Sequence, residues 1–169
     1  MKIKRKNNKL IIFINLIVTV LFLLPVSKLN LFDENYSTLS LTTRGYLYVL
    51  TLAILIGLLL GYETLIIHSF PNAMLIFFSL IIGTIIPHHI PYNLQGNLHL
   101  LFAYIGFVLL VIATLINCRI KKYRDIYLFF IFVAILLYLK YGMVNTLSEV
   151  IVMIGTLYIN MLMTIKKRI

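Results

Sequence analysis

Six runs of apolar residues, separated by short polar stretches, extend along most of the chain. They cover about residues 10–26, 45–68, 73–90, 97–117, 126–141 and 143–164. Lys and Arg occur only at or beyond the ends of these runs, as expected of helices that face lipid. A helix needs about 20 apolar residues to cross the hydrocarbon core of a bilayer. The pattern predicts an all-α fold: a polytopic integral membrane helical bundle of about six transmembrane helices, forming a single transmembrane domain over residues 1–169. Only Tyr141-Gly142 separates the fifth run from the sixth, which predicts a tight helical hairpin.

Composition excludes the main soluble classes of protein. Of the 169 residues, 62% are hydrophobic and 12% are charged, whereas a soluble domain has about 45–50% and about 25%. A water-soluble enzyme, a disordered tail and a disulfide-stabilised secreted domain are therefore excluded. The first apolar run lacks the small-residue pattern of a signal-peptide cleavage site, so we interpret it as an uncleaved helix.

The distribution of positive charge predicts the orientation of the bundle. The chain has 15 Lys and Arg against 5 Asp and Glu, a formal net charge of +10. Twelve of the positive residues lie in 1–9, 119–124 and 166–168, and the other three are Lys28, Arg44 and Lys140. The positive-inside rule then predicts a protein of the cell membrane with both termini in the cytoplasm. The same rule accounts for the basic excess, so we expect no nucleic-acid partner.

Ionisable side chains inside or beside the spans are the candidates for function, because they are costly in a bilayer. Glu149 lies about 9 Å below the predicted outer surface at a rise of 1.5 Å per residue. It is a candidate general base, ligand or headgroup contact. The structural alternative is a packing carboxylate paired with Arg44 or hydrogen-bonded to Ser40. His99, at the outer end of the fourth run, is either an acid–base group or an interfacial histidine.

Histidines of the second outer loop raise the question of a metal site. His88 and His89 are predicted at the same membrane level as His99, and all three could contact a ligand. No H-x-x-x-H or H-E-x-x-H spacing occurs in the chain, and the single cysteine, Cys118, has no partner for a metal motif. We therefore predict no metal and no haem or other cofactor.

The inner half of the bundle offers fewer candidates. Glu63, near the inner end of the second run, is interpreted as extending to the cytoplasmic surface or pairing with a basic residue of 119–124. Gly57 and Gly61 have the small-xxx-small spacing that allows close helix packing. The middle of the bundle is almost wholly apolar, which argues against a transport pathway.

Three segments together resemble a known superfamily. The second helix is preceded by a Ser-rich stretch from Ser37 to Gly45, Ile90-Pro91-Tyr92 leads to Asn97-Leu98-His99-Leu100 with Ala103 one turn later, and Leu147-Ser148-Glu149 opens the last helix. In these features the chain resembles the DRAM/Frag/Sfk superfamily of six-helix membrane proteins, in which a histidine begins the fourth helix and a Ser-Glu pair begins the sixth. Gln95-Gly96-Asn97 replaces the usual acidic residue before the histidine. The resemblance implies a role in lipid remodelling, lipid asymmetry or phosphoinositide regulation.

The sequence therefore predicts an integral membrane protein with a polar site at the outer-leaflet end of the bundle that binds or modifies a lipid headgroup. Glu149 and His99 are its candidate catalytic residues, and whether a reaction is catalysed stays open. Its candidate binding residues are Arg44, Ser40, His88 and His89. The alternatives are a non-catalytic accessory or structural membrane subunit and a small-molecule transport component. Membrane lipids are the expected partners, and a homo-oligomer or another protein partner stays open.

Overall fold

A computed structural model describes residues 2–86 and 94–168, with side chains described over residues 8–86 and 94–167. This part of the chain is helical and contains no strand, which confirms the predicted all-α class. Its helices are α1 (Lys2–Leu23), α2 (Tyr36–Leu39), α3 (Thr43–Ile67), α4 (Phe70–Thr84), α5 (Leu94–Asn117), α6 (Lys121–Tyr141) and α7 (Thr146–Arg168). A 3-10 turn over Leu24–Lys28 continues α1.

Four stretches in the described residues are long and apolar enough to cross a membrane. They are Asn8–Lys28, Thr43–Ile67, Leu94–Asn117 and Thr146–Lys167. Helix α4 is also apolar but has only 15 residues, and α6 carries several charged residues at its ends. These four helices are compatible with an integral membrane protein. The count of six spans stays a prediction.

Short local signals explain where several helices begin and end. The Thr42 hydroxyl accepts a hydrogen bond from the Gly45 N–H at 3.0 Å and caps α3,. Pro71 is the second residue of α4, where a missing backbone N–H leaves no helical bond unmade. Helix α6 ends at Gly142, whose φ of 71° lies in the left-handed region,. This glycine reverses the chain, and α6 and α7 pack against each other.

Helix α7 occupies the middle of the bundle. It contacts α1, α3, α5 and α6, and α4 packs between α3 and α5. The apolar core among these helices includes the buried side chains of Leu52, Ile56, Leu60, Ile76, Leu110 and Leu157. Large apolar side chains also cover the outward faces of α1, α5 and α6, which suits a lipid environment.

Small residues bring α4 and α5 unusually close together. A Cβ built on Gly106 would overlap the backbone oxygen of Ser79 and lie 3.0 Å from the Cα atom of Gly83. A Cβ on Gly83 would in turn lie 3.9 Å from the Cα atom of Ala103. Such backbone approach is the usual role of small residues between membrane helices.

Candidate functional site

The loop between α1 and α2 is fastened to the start of α7. The backbone N–H of Thr146 donates to the carbonyl oxygen of Glu34 at 2.6 Å, and that of Leu147 donates to the carbonyl of Leu31 at 3.1 Å. The first N–H groups of a helix have no partner within the helix itself. The loop supplies those partners, so its position relative to α7 is fixed.

Glu149 holds the next part of this loop. Its Oε2 accepts a hydrogen bond of 2.7 Å from the backbone N–H of Tyr36, the first residue of α2. A carboxylate is electrostatically favoured near the N–H groups that begin a helix. The Tyr36 ring stacks on Phe22 with 4.5 Å between ring centroids, and its hydroxyl donates to the Phe22 carbonyl. Burial, and secondarily the Glu149 carboxylate, raise the pKa of the Tyr36 phenol, so the phenol remains a donor.

His99 contacts the residue that follows Tyr36. The side chain of His99 is 4% exposed, with Nδ1 lying 2.6 Å from the carbonyl oxygen of Ile86 and Nε2 lying 3.0 Å from the Ser37 Oγ. Because a carbonyl oxygen only accepts, the Nδ1 atom carries the proton. In the neutral imidazole Nε2 then accepts from the Ser37 hydroxyl. The hydroxyl of Tyr46 donates at 2.9 Å to the carbonyl of Ile85, the residue before Ile86.

These side chains border a cavity of about 180 Å³. Near α2 its lining includes the polar residues Tyr36, Ser37, Ser40, Tyr46, Thr84, His99 and Glu149, together with Phe22 and Ile86. Further along, most of its lining is apolar and includes Leu52, Ala53, Ile56, Leu110 and Val152. From Tyr46 to Ile56 the cavity follows α3 over about 15 Å at 1.5 Å per residue. We call this space the outer-loop cavity.

The six candidate site residues have different positions relative to this cavity. Glu149, His99 and Ser40 line it, and the Ser40 hydroxyl donates to the Ser37 carbonyl at 2.7 Å. Arg44 is exposed in the first turn of α3 and is not part of the lining. Over the described residues, no hydrogen bond or ion pair joins Arg44 to Glu149. His88 and His89 lie outside the described residues.

Glu149 and His99 thus contact two adjacent residues at the start of α2, Tyr36 and Ser37. The sequence analysis did not single out either residue. One signal was available, because Asn35 and Thr38 form a capping box: the Asn35 Oδ1 accepts from the Thr38 N–H at 3.1 Å, and the Asn35 N–H donates to the Thr38 Oγ1 at 3.4 Å. This spacing marks a helix start and would have placed Ser37 in the first turn of α2.

A second polar cluster, also missed, joins four helices near the opposite end of the bundle. The Asn117 Nδ2 donates to the Thr64 Oγ1 at 2.8 Å and to the Asn160 Oδ1 at 2.7 Å. The Asn117 Oδ1 accepts from the Asn72 Nδ2 at 2.7 Å. All four side chains are buried. They connect α3, α4, α5 and α7 as interhelical hydrogen bonds do in membrane proteins.

Glu63 lies in the same half of the bundle and is completely buried. Its Oε1 accepts a hydrogen bond of 2.6 Å from the Asn15 Nδ2 on α1. The interpretation that Glu63 extends to the cytoplasmic surface is therefore wrong, since its side chain is completely buried. A hydrogen bond to a neighbouring helix provides the polar contact that a buried carboxyl group needs.

Cys118 directly follows α5, and its thiol has low reactivity in the folded protein. Its side chain is 3% exposed, and burial raises the pKa of the thiol to about 11, with Arg124 acting in the opposite direction. The thiolate is the reactive form of cysteine, so the folded protein presents little reactive thiol near neutral pH. Cys118 is therefore no candidate nucleophile, but its reaction with a thiol reagent reports unfolding.

Comparison with known proteins does not supply a family or a function. No protein-family model, curated protein or solved structure matches the chain. The resemblance to the DRAM/Frag/Sfk superfamily stays a prediction. Among residues 2–86 and 94–168, no group of three or more His, Cys, Asp or Glu side chains could hold a metal ion. The outer-loop cavity is the feature from which function has to be inferred.

Proposed function

We propose that the chain is a multi-pass protein of the cell membrane with six spans and both termini in the cytoplasm, and that its outer-loop cavity binds a membrane lipid at the outer leaflet. Four helices have the length and apolarity of membrane spans, and α4 and α6 pack against them as the other two spans of this proposal. The division of positive residues, twelve against three, supports the orientation.

The observation that carries the lipid proposal is the division of the cavity into a polar end and an apolar part. A lipid has the same division between headgroup and acyl chain. The volume of about 180 Å³ exceeds the roughly 150 Å³ of an apolar cavity known to hold benzene. Part of one acyl chain fits such a space, and the rest of the lipid would lie in the bilayer beside the bundle.

The polar end provides the groups for headgroup recognition. Glu149 and His99 are fixed by their contacts with α2, and Ser40 adds a hydroxyl beside them. Arg44 is exposed at the start of α3, close to the membrane surface in this orientation. A guanidinium group there suits a lipid phosphate, so Arg44 would act at the rim of the site. His88 and His89 are the remaining residues that we propose to contact the headgroup.

Lipid extraction from purified variants tests the proposal. The protein is purified from membranes, and the lipid bound per chain is measured by mass spectrometry. Val49→Phe places a ring in the cavity, because Val49 belongs to its lining. Val108→Phe is the matched control, since Val108 is 51% exposed on the outer face of α5. We expect wild type and Val108→Phe to retain a specific lipid and Val49→Phe to lose most of it.

A non-catalytic structural subunit is the second candidate. It is favoured by the contacts of Glu149 and His99, which both join separate elements of the chain itself. In that case the three proteins would carry the same nonspecific lipid mixture in the same amount. This outcome would refute the lipid site and favour the structural subunit.

A further inference from the structure

Ser37 and His99 form a pair with the geometry of a nucleophile and its base. The Ser37 Oγ lies 3.0 Å from Nε2 of His99, and the opposite ring nitrogen is held at 2.6 Å by the Ile86 carbonyl. A nucleophile within hydrogen-bond reach of a base, with the base oriented by a third group, is the recurring arrangement of covalent catalysis. The Tyr46 hydroxyl donates to the neighbouring Ile85 carbonyl at 2.9 Å, which joins the chain just after α4 to α3.

We propose that Ser37 is a catalytic nucleophile, that His99 is its general base, and that the pair hydrolyses an ester-linked acyl chain of a lipid. This inference rests on the proposed function, because it uses the outer-loop cavity as the binding site of the acyl chain. Ser37 and His99 both line the cavity, together with apolar residues such as Ile86, whose carbonyl contacts His99. An ester carbonyl at the junction of headgroup and chain would therefore lie near the Ser37 hydroxyl.

The reaction needs only the lipid ester and water. The Ser37 Oγ attacks the ester carbonyl carbon, and its proton passes to His99 Nε2. The bond from that carbon to the alcohol oxygen breaks, and His99 returns the proton to the departing alcohol. A water molecule then attacks the acyl–Ser37 ester, giving its proton to His99, which passes it to Ser37 Oγ as the fatty acid leaves. One ester and one water give one acid and one alcohol.

The orienting group distinguishes this pair from a triad with a carboxylate. A backbone carbonyl fixes the tautomer of His99 but carries only a partial charge, so it stabilises the imidazolium less than an aspartate would. The hydrogen bond of Glu149 is made to α2. It holds the N–H of Tyr36, and Tyr36 immediately precedes Ser37. Glu149 is therefore a positioning residue for the nucleophile.

A long-chain alkyl fluorophosphonate tests the inference on the full chain in detergent. Attack by an activated serine Oγ forms an O–P bond and releases fluoride. We expect an adduct on the peptide that contains Ser37, and none in Ser37→Ala. His99→Asn removes the base while its amide keeps a donor for the Ile86 carbonyl, and labelling should slow by about 100-fold or more. Ser27→Ala is the control, since Ser27 is an exposed serine outside the cavity.

Each result decides the question. Folding of every variant is checked by its unfolding temperature, followed with a fluorogenic maleimide that reacts with Cys118. An unlabelled Ser37 in the folded wild type overturns the inference without reference to any variant. Labelling of folded His99→Asn at the wild-type rate also overturns it, because the serine would not depend on the imidazole. Bound lipid without Ser37 labelling would leave the lipid site in place and reject only acyl transfer, whereas loss of both would reject both.

Discussion

The half-buried Glu149 and the buried His99 both contact α2, but their contacts differ in kind. Glu149 accepts from a backbone N–H, a bond that any suitably placed oxygen can make. His99 donates through one nitrogen and accepts through the other, which only a neutral imidazole in one tautomer does well. A substitution that preserves an oxygen is therefore expected to be mild at Glu149, whereas at His99 a substitution has to preserve both a donor and an acceptor.

Two substitutions of Glu149 separate its hydrogen bond from its charge. Glu149→Gln retains an oxygen for the Tyr36 N–H, and Glu149→Ala leaves that N–H without its partner. An unsatisfied buried donor costs about 1–3 kcal/mol. We expect the free energy of unfolding to fall by that amount in the Ala variant and by clearly less in the Gln variant, measured with the Cys118 maleimide reaction. Equal losses in the two variants would show that the charge, and not the bond to Tyr36, supports the loop.

At the scale of helices, the long elements could be predicted because their signals are local. Apolar run length and the break at Gly142 lie in contiguous sequence, and they agree with α3 and the α6–α7 boundary. The run predicted over 73–90 was displaced, because α4 begins at Phe70, just before Pro71, and ends at Thr84. The hydrogen-bonded cluster around Asn117 could not be predicted in the same way. Its four members come from four helices, and the rotation of each helix about its axis decides whether they meet.

The outer site was predictable to the same limited extent. The positions of Glu149 and His99 in the apolar runs predicted a carboxylate and a histidine at one end of the bundle. Their connection through Tyr36 and Ser37 depends on a four-residue helix with no apolar run of its own. Arg44 was expected to pair with Glu149 because opposite charges at one depth attract, but the described backbone already satisfies an oxygen of that carboxylate.

The α4–α5 contact permits a test with an internal control. A Cβ on Gly106 would meet backbone atoms of Ser79 and Gly83, neither of which can move without shifting a helix. A Cβ on Gly61 would meet only the Ala73 oxygen, at 3.6 Å, an ordinary contact.

Gly106→Ala should lower the free energy of unfolding by about 1–3 kcal/mol. Gly61→Ala should be neutral or stabilising, because alanine favours a helix by about 1 kcal/mol over glycine. Thermal unfolding of both variants measures this, and equal tolerance at the two positions would contradict the close α4–α5 packing.

For the whole molecule, the proposed site and the proposed orientation depend on each other. The outer-loop cavity lies at the end of the bundle where α2 joins the start of α7, so its membrane face is set by the direction in which the spans run. The link after α5 and the first turn of α6 hold Arg119, Lys121, Lys122 and Arg124 at the other end. If four positive residues stay on the cytoplasmic side, the cavity opens toward the outer leaflet.

Single cysteines in a Cys118→Ser background test this orientation. Asp33 and Gln95 are exposed near the cavity end, and Lys122 is exposed at the opposite end. In intact cells, a membrane-impermeant maleimide should label Asp33→Cys and Gln95→Cys but not Lys122→Cys. Permeabilised cells are the control, because all three sites should then react. Labelling of Lys122→Cys alone in intact cells would invert the bundle and place the cavity at the cytoplasmic leaflet. The substrate would then have to be sought among lipids of that leaflet, even if the cavity and the Ser37–His99 pair function as proposed.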